Sequence, residues 1–185
     1  MNPVVRLIVM FGGWLVWVLP FFLFRPAKSQ AVTLKPAARW GIALQTIAFF
    51  MTYMHSPATW NLPFEAWRLA AGVIPWAVAV TLAWQGIRTL GRQWRIDAGL
   101  NADHELVRVG PYRLIRHPIY ASMLCMLLCG IAWCGTLPLW PVVLVLGITG
   151  IEIRVRVEDG LLHERFGAEF TEWRRAVPAY LPFIR

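Results

Sequence analysis

The sequence predicts an all-α, polytopic integral membrane protein of about five transmembrane helices, since a bilayer span takes roughly 20 mostly apolar residues. Three observations predict it. The 185-residue chain is 58% hydrophobic, with 11 Trp and a mean hydropathy of +0.53, which exceeds the apolar share of ordinary water-soluble domains. The apolar residues gather into long runs. The charge, +8 from 18 Lys+Arg and 10 Asp+Glu, falls almost wholly between those runs. A basic soluble protein would point to nucleic acid. Basic loops between apolar runs point instead to membrane lipids, with no nucleic-acid partner.

Residues 4–24 form the first expected span, with Gly12 and Gly13 as a close-approach face. This run has little basic n-region and no A-x-A-like cleavage site, so it reads as a retained span rather than a signal peptide. Arg25-Pro26-Ala27-Lys28 ends it. Residues 40–54 make a short second span, and residues 64–87 a third with Pro75 inside it. A long polar segment, 88–117, carries six arginines. Within it, residues 97–103 read as turn chemistry and residues 106–109 as a short extended piece. Residues 119–133 form the fourth span. Gly135-Thr136-Leu137-Pro138 reverses the chain, and residues 139–151 form the fifth, so spans four and five should make a helical hairpin. Helical character continues through residues 152–166 and stops at Gly167, before an amphipathic tail over residues 168–185. The chain therefore divides into a three-span region, 1–87, and a core, 88–185, holding spans four and five.

Sixteen of the 18 Lys+Arg follow spans one, three and five. The positive-inside rule then puts the N-terminus outside and the C-terminus in the cytoplasm. Cys125, Cys129 and Cys134 lie on or just after one apolar run, with no second ligand pair nearby, so they imply neither a metal site nor a disulfide framework. No C-a-a-X box ends the chain, which excludes prenylation of the chain itself.

Two polar stretches carry the chemistry. Residues 110–120, Gly110-Pro111-Tyr112-Arg113-Leu114-Ile115-Arg116-His117-Pro118-Ile119-Tyr120, set cations and tyrosines at the mouth of the fourth helix. Pro118 suits the first helical turn, and free N–H groups with a positive dipole end lie beside it. On composition alone this is a basic loop with aromatic interface anchors. Its other reading is a mouth for a polar ligand. In residues 151–159, Arg154 and Glu158 are i, i+4 neighbours on one helix face. An ordinary solvated ion pair is worth little. Ionisable groups near membrane depth, however, usually face a protein interior or cavity. An Arg and a Glu side by side suit a ligand with both a carboxylate and an ammonium, as S-adenosylmethionine has.

Leu90-Gly91-Arg92-Gln93-Trp94, His104-Glu105-Leu106-Val107, Gly110-Pro111-Tyr112, Arg116-His117-Pro118-Ile119-Tyr120, Glu158-Asp159, Phe166-Gly167 and Val177-Pro178-Ala179-Tyr180-Leu181-Pro182-Phe183-Ile184 appear in order. This string resembles the isoprenylcysteine carboxyl methyltransferase family, within a broader group that includes phospholipid N-methyltransferases. The resemblance covers residues 90–185 and leaves the first three spans largely unmarked. It implies an integral-membrane methyltransferase that uses S-adenosyl-L-methionine without a Rossmann fold, in a cytoplasmic cofactor pocket formed by the C-terminal half.

Carried over by position, the resemblance implies that His104, Glu105, Leu106, Val107, Tyr112, His117, Pro118, Ile119, Tyr120 and Glu158 hold the cofactor. Arg154 and Glu158 are the implied catalytic pair, with Arg154 near the acceptor. Asp159 stands where a second Glu is usual. The implied acceptor is a lipophilic small molecule or a lipidated substrate, foremost the carboxylate of a prenylated cysteine, with no metal. A phospholipid amine or a thiol is the alternative acceptor. The competing classes are a sterol-reductase-like enzyme using NADPH and a non-catalytic membrane scaffold.

Overall fold

The structure is a computed structural model that describes residues 3–24, 31–54, 66–96, 98–134 and 139–180. Six α-helices and one short β-ribbon are described: α1 (Pro3–Leu23), β1 (Ala31–Leu34), α2 (Ala38–Met54), α3 (Ala66–Leu90), β2 (Gly99–Asn101), α4 (Pro118–Cys134), α5 (Trp140–Phe166) and α6 (Ala168–Ala176). Two 3-10 turns, Gly91–Gln93 and Gly110–Arg113, punctuate the long polar segment.

Proline and glycine set the boundaries. Pro118 opens α4, and Pro141 lies in the first turn of α5, where a missing N–H costs nothing. Pro20 and Pro75 sit inside α1 and α3, as helices packed against neighbours in lipid tolerate. Gly167, at φ 54°, breaks α5 so that α6 can turn back.

Spans four and five do not behave as a simple hairpin. α4 packs chiefly along α3, and α5 chiefly along α2, so the two consecutive helices touch each other less than each touches an earlier one. Small residues decide this. A Cβ on Gly41 would stand 2.6 Å from the Gly150 carbonyl, and one on Gly150 would stand 2.7 Å from the Gly41 carbonyl. Gly72 likewise gives its space to the Trp133 indole. Close backbone approach of this kind is how helices associate in lipid, where apolar burial offers little gain. Of the first-span pair, Gly13 meets Trp76, whereas nothing lies within 4 Å of a Cβ on Gly12. The reversal expected at 135–138 lies outside the described residues.

Ile8, Phe11, Leu15, Phe22, Phe50, Ile74 and Val145 face outward, an apolar surface suited to lipid. Among the described residues one helical stretch, Trp67–Gln93, is both long and apolar enough to cross a bilayer by length and composition, while Ile8–Leu23 and Pro118–Cys134 are shorter apolar helices. α2 has 17 residues, and the second half of α5 is charged.

The polar end departs from the all-α expectation. β1 pairs antiparallel with β2, with Leu34 opposite Gly99 and an irregularity between Ala31 and Thr33. β2 thus forms inside the 97–103 stretch read as turn, of which Asp97 lies outside the described residues. Residues 104–108 run without regular structure. The second half of α5 and α6 cover this loop through a core of Leu100, Tyr112, Leu161, Leu162, Phe170 and Trp173.

Candidate active site at the polar end of the helices

A cleft with about 890 Å³ of empty space, partly open to solvent, lies where the long loop, the start of α4 and the charged half of α5 meet. His104, Glu105, Leu106 and Val107 line it from the loop, Tyr112 from the 3-10 turn, His117, Ile119 and Tyr120 from the start of α4, and Arg154 and Glu158 from α5.

Pro118 is the exception among the expected cofactor residues. It opens α4 with its ring near Gly86 of α3 and does not line the cleft. A proline suits the first helical position because its missing N–H costs nothing there and its φ is preset.

Arg154 and Glu158 share the cleft but not each other. Arg154 is buried, and three separate elements hold its guanidinium. Nη1 donates to Gln45 Oε1 of α2 at 3.3 Å, and Nη2 donates to the Ile96 carbonyl at 2.7 Å. Its Cζ lies 4.8 Å from the centre of the Tyr120 ring, a cation–π contact. Glu158 is one turn further along, about a third exposed, with Oε2 3.7 Å from His117 Nδ1. Among the described residues Arg154 forms no ion pair with a carboxylate.

A second charge cluster closes the back of the site. The Asp159 side chain is 4% exposed. Its Oδ2 accepts from Arg116 Nη2 at 3.1 Å, and its Oδ1 lies 2.8 Å from His117 Nε2. Burial pushes the Asp159 carboxyl up. The His117 hydrogen bond and charge and the Arg116 guanidinium outweigh burial and hold it below the usual carboxylate range. Ionised Asp159 can only accept, so His117 Nε2 carries the proton.

Arg116 reaches further. Its Nη1 donates to the carbonyls of Arg174, at 3.1 Å, and Val177, capping the end of α6. The backbone N–H groups of Arg116 and His117 donate to the Pro178 and Ala179 carbonyls at 2.8 and 2.7 Å. Tyr180 donates to Glu152 Oε1 at 2.9 Å. The N–H groups just ahead of the helix, at residues 116 and 117, are therefore taken by the C-terminal strap.

His104 faces the cleft with a buried Nδ1 that has no hydrogen-bond partner among the described residues. Burial lowers its pKa, with Glu158 opposing, so the ring is neutral at physiological pH. Tyr112 is buried, and burial with nearby Glu158 raises its pKa, so it stays a phenol. The unpaired His104 nitrogen and the partly exposed Glu158 carboxylate leave polar groups open to the cleft.

Comparison with known proteins settles the lineage. The model of the isoprenylcysteine carboxyl methyltransferase (ICMT) family matches residues 70–164. The chain belongs to this family. A solved structure of the eukaryotic intramembrane Ras methyltransferase ICMT, without a monobody, has the same fold. It gives a TM-score of 0.65 at 20% identity, over 97% of this chain and 68% of that one. No curated protein matches the sequence. Family membership makes this chain an integral-membrane methyltransferase.

The family match takes in the loop, α4 and nearly all of α5. Phe21 of α1 and Trp173 of α6 line the cleft from outside it. Gln45, also outside the match, does not line the cleft but accepts a hydrogen bond from Arg154, which does. Sequence reasoning missed these, and also Trp94, Arg95 and Ile96 on the cleft wall. Phe21 and Gln45 lie in apolar helices whose pattern names no partner. Trp94 stood in the quoted motif string, where it carried resemblance but no role.

Proposed function

We propose that this cleft binds S-adenosyl-L-methionine and that the chain transfers its methyl group to the carboxylate of a prenylated cysteine or a closely related lipophilic acid. One observation carries the reading. Arg154 and Glu158 open on the same cleft one helical turn apart without neutralising each other. That leaves an anion site and a cation site side by side.

Bound there, S-adenosylmethionine would supply an electrophilic methyl on a sulfonium. Glu158 would hold its cationic part, and His104, Glu105, Leu106, Val107 and Tyr112 would line the nucleoside, with His117, Ile119 and Tyr120 on the facing wall. Arg154 would orient an acceptor carboxylate by paired hydrogen bonds. A carboxylate is already ionised at neutral pH, so no residue has to remove a proton. The work of the protein is then positioning and exclusion of water. Asp159 acts behind the site, fixing His117 and Arg116.

The same reading includes about five spans, an outside N-terminus and a cytoplasmic C-terminus, with residues 88–185 as the methyltransferase core and 1–87 as a supporting three-span region. The cofactor then reaches the cleft from the cytosol, and the acceptor from the lipid.

The test uses purified protein in lipid nanodiscs with methyl-labelled S-adenosylmethionine, offered a farnesylcysteine analogue, phosphatidylethanolamine and a small thiol. Labelling of the farnesylcysteine carboxylate as a base-labile ester is expected. Labelling only of the amine or thiol moves the acceptor class, and labelling of none removes the reading. Glu158→Gln should weaken donor affinity by calorimetry at least 100-fold; unchanged affinity removes Glu158 from the site.

A further inference from the structure

We propose that Gln45 is a positioning residue that sets acceptor selectivity by holding Arg154 away from Glu158; this rests on the methyltransferase reading above. Gln45 lies on α2, outside the family-matched residues, in a helix whose sequence is otherwise apolar or small around it. It is 6% exposed. A buried primary amide is costly unless its hydrogen bonds are met. Here both ends are used: Oε1 accepts from Arg154 Nη1 at 3.3 Å, and Nε2 contacts Met123 Sδ of α4 at 3.7 Å.

The position is built in. The Gly41–Gly150 contact brings the backbones of α2 and α5 together one turn from both residues. Arg154 runs across Gly41, where a Cβ would stand 2.5 Å from the Arg154 Cγ. The guanidinium therefore emerges between Gln45, the Ile96 carbonyl and the Tyr120 face.

All three partners are neutral, and among the described residues no carboxylate lies within ion-pair distance of Arg154. The nearest alternative partner along α5 is Glu158 at i+4, the spacing at which an Arg and a Glu ordinarily pair. Gln45 supplies the acceptor that keeps Arg154 from taking it. Both charges then stay available, one to each substrate. An amide suits this task because it accepts a hydrogen bond without neutralising the guanidinium. A carboxylate at position 45 would itself occupy the place of the acceptor acid.

Two substitutions in the full-length protein separate this from a packing role. Gln45→Leu removes the acceptor at similar volume and frees Arg154 to pair with Glu158. Acceptor KM should rise about tenfold, and donor affinity, measured by calorimetry without acceptor, should fall several-fold. Gln45→Glu keeps Arg154 away from Glu158 but neutralises it. Acceptor KM should rise at least as much, with donor affinity within twofold of the parent protein.

If both variants lose donor affinity in step with their melting temperatures, Gln45 is structural and the proposal fails. It also fails if Gln45→Leu leaves acceptor KM and donor affinity within twofold of the parent. The parent protein's own donor affinity and transfer, measured alongside, report separately on the methyltransferase reading.

Discussion

Along the apolar stretches of the bundle, indole N–H groups tie helix to helix. Trp76 donates to the Gly13 carbonyl at 2.9 Å, Trp84 to the Val16 carbonyl at 3.0 Å, and Trp17 to Ser122 Oγ at 3.3 Å. At the polar end, full charges do the equivalent task, with Arg116, His117 and Asp159 buried together and the C-terminal strap hung from them. In lipid, apolar burial does not draw helices together, so small residues and weak polar bonds must. Once the chain leaves the lipid, water competes for every surface bond, and only buried charges with complete partners hold a loop in one place. The cleft lies at the seam between these regimes, with Arg154 reaching into the apolar side and Glu158 onto the wet one.

The sharpest way to break this contrast is at Asp159. Asp159→Ala leaves Arg116 buried without its carboxylate, which should cost about 3–5 kcal/mol and loosen the strap. Denaturant unfolding and faster proteolysis after α6 would register it. The same residue predicts acid sensitivity. Its folded-state pKa is lowered, so its stabilisation is complete above the ordinary carboxylate value of about 4 and is lost as pH falls through the lower folded value. Asp159→Asn should flatten that dependence in pH-dependent melting.

On the apolar side, Gly150→Ala should cost about 1–3 kcal/mol, because the obstructing atom is the Gly41 backbone and cannot move aside. Donor affinity should change less than acceptor KM, since the displaced contact runs beside Arg154. Trp76→Phe keeps the ring but loses one N–H bond, and should cost about 1 kcal/mol or less. The smallest effect belongs to the exposed pair Lys35–Glu164 at 2.9 Å. Lys35→Ala should change unfolding by under about 1 kcal/mol and fade with added salt. A Lys35 effect as large as that of Asp159 would overturn the distinction between solvated and buried charge.

Much of the cleft was legible in the sequence because its motifs are local. His104 to Val107 and His117 to Tyr120 are short runs, and Arg154 with Glu158 obey helical spacing. Asp159 was legible only as a departure from a usual Glu. Its work as the counter-charge for Arg116 and His117 spans 43 and 42 residues of chain, which no local pattern reports. Arg113 and Arg116 look alike in sequence, yet Arg113 is exposed while Arg116 is 2% exposed and anchors the strap. The order of packing was hidden too, because an apolar stripe states that it will be covered and not by which helix.

By itself the sequence determined the solvent each segment prefers, the helix boundaries that proline and glycine impose, and the family to which the charged motifs belong. Those properties reside in single residues and short spacings. Only the tertiary structure decided that α5 lies on α2, that Gln45 meets Arg154, and that the tail of the chain occupies the N–H groups beneath the fourth helix. Each of these joins residues far apart in the chain, and close packing of small residues between helices selects one such meeting from many that the sequence permits.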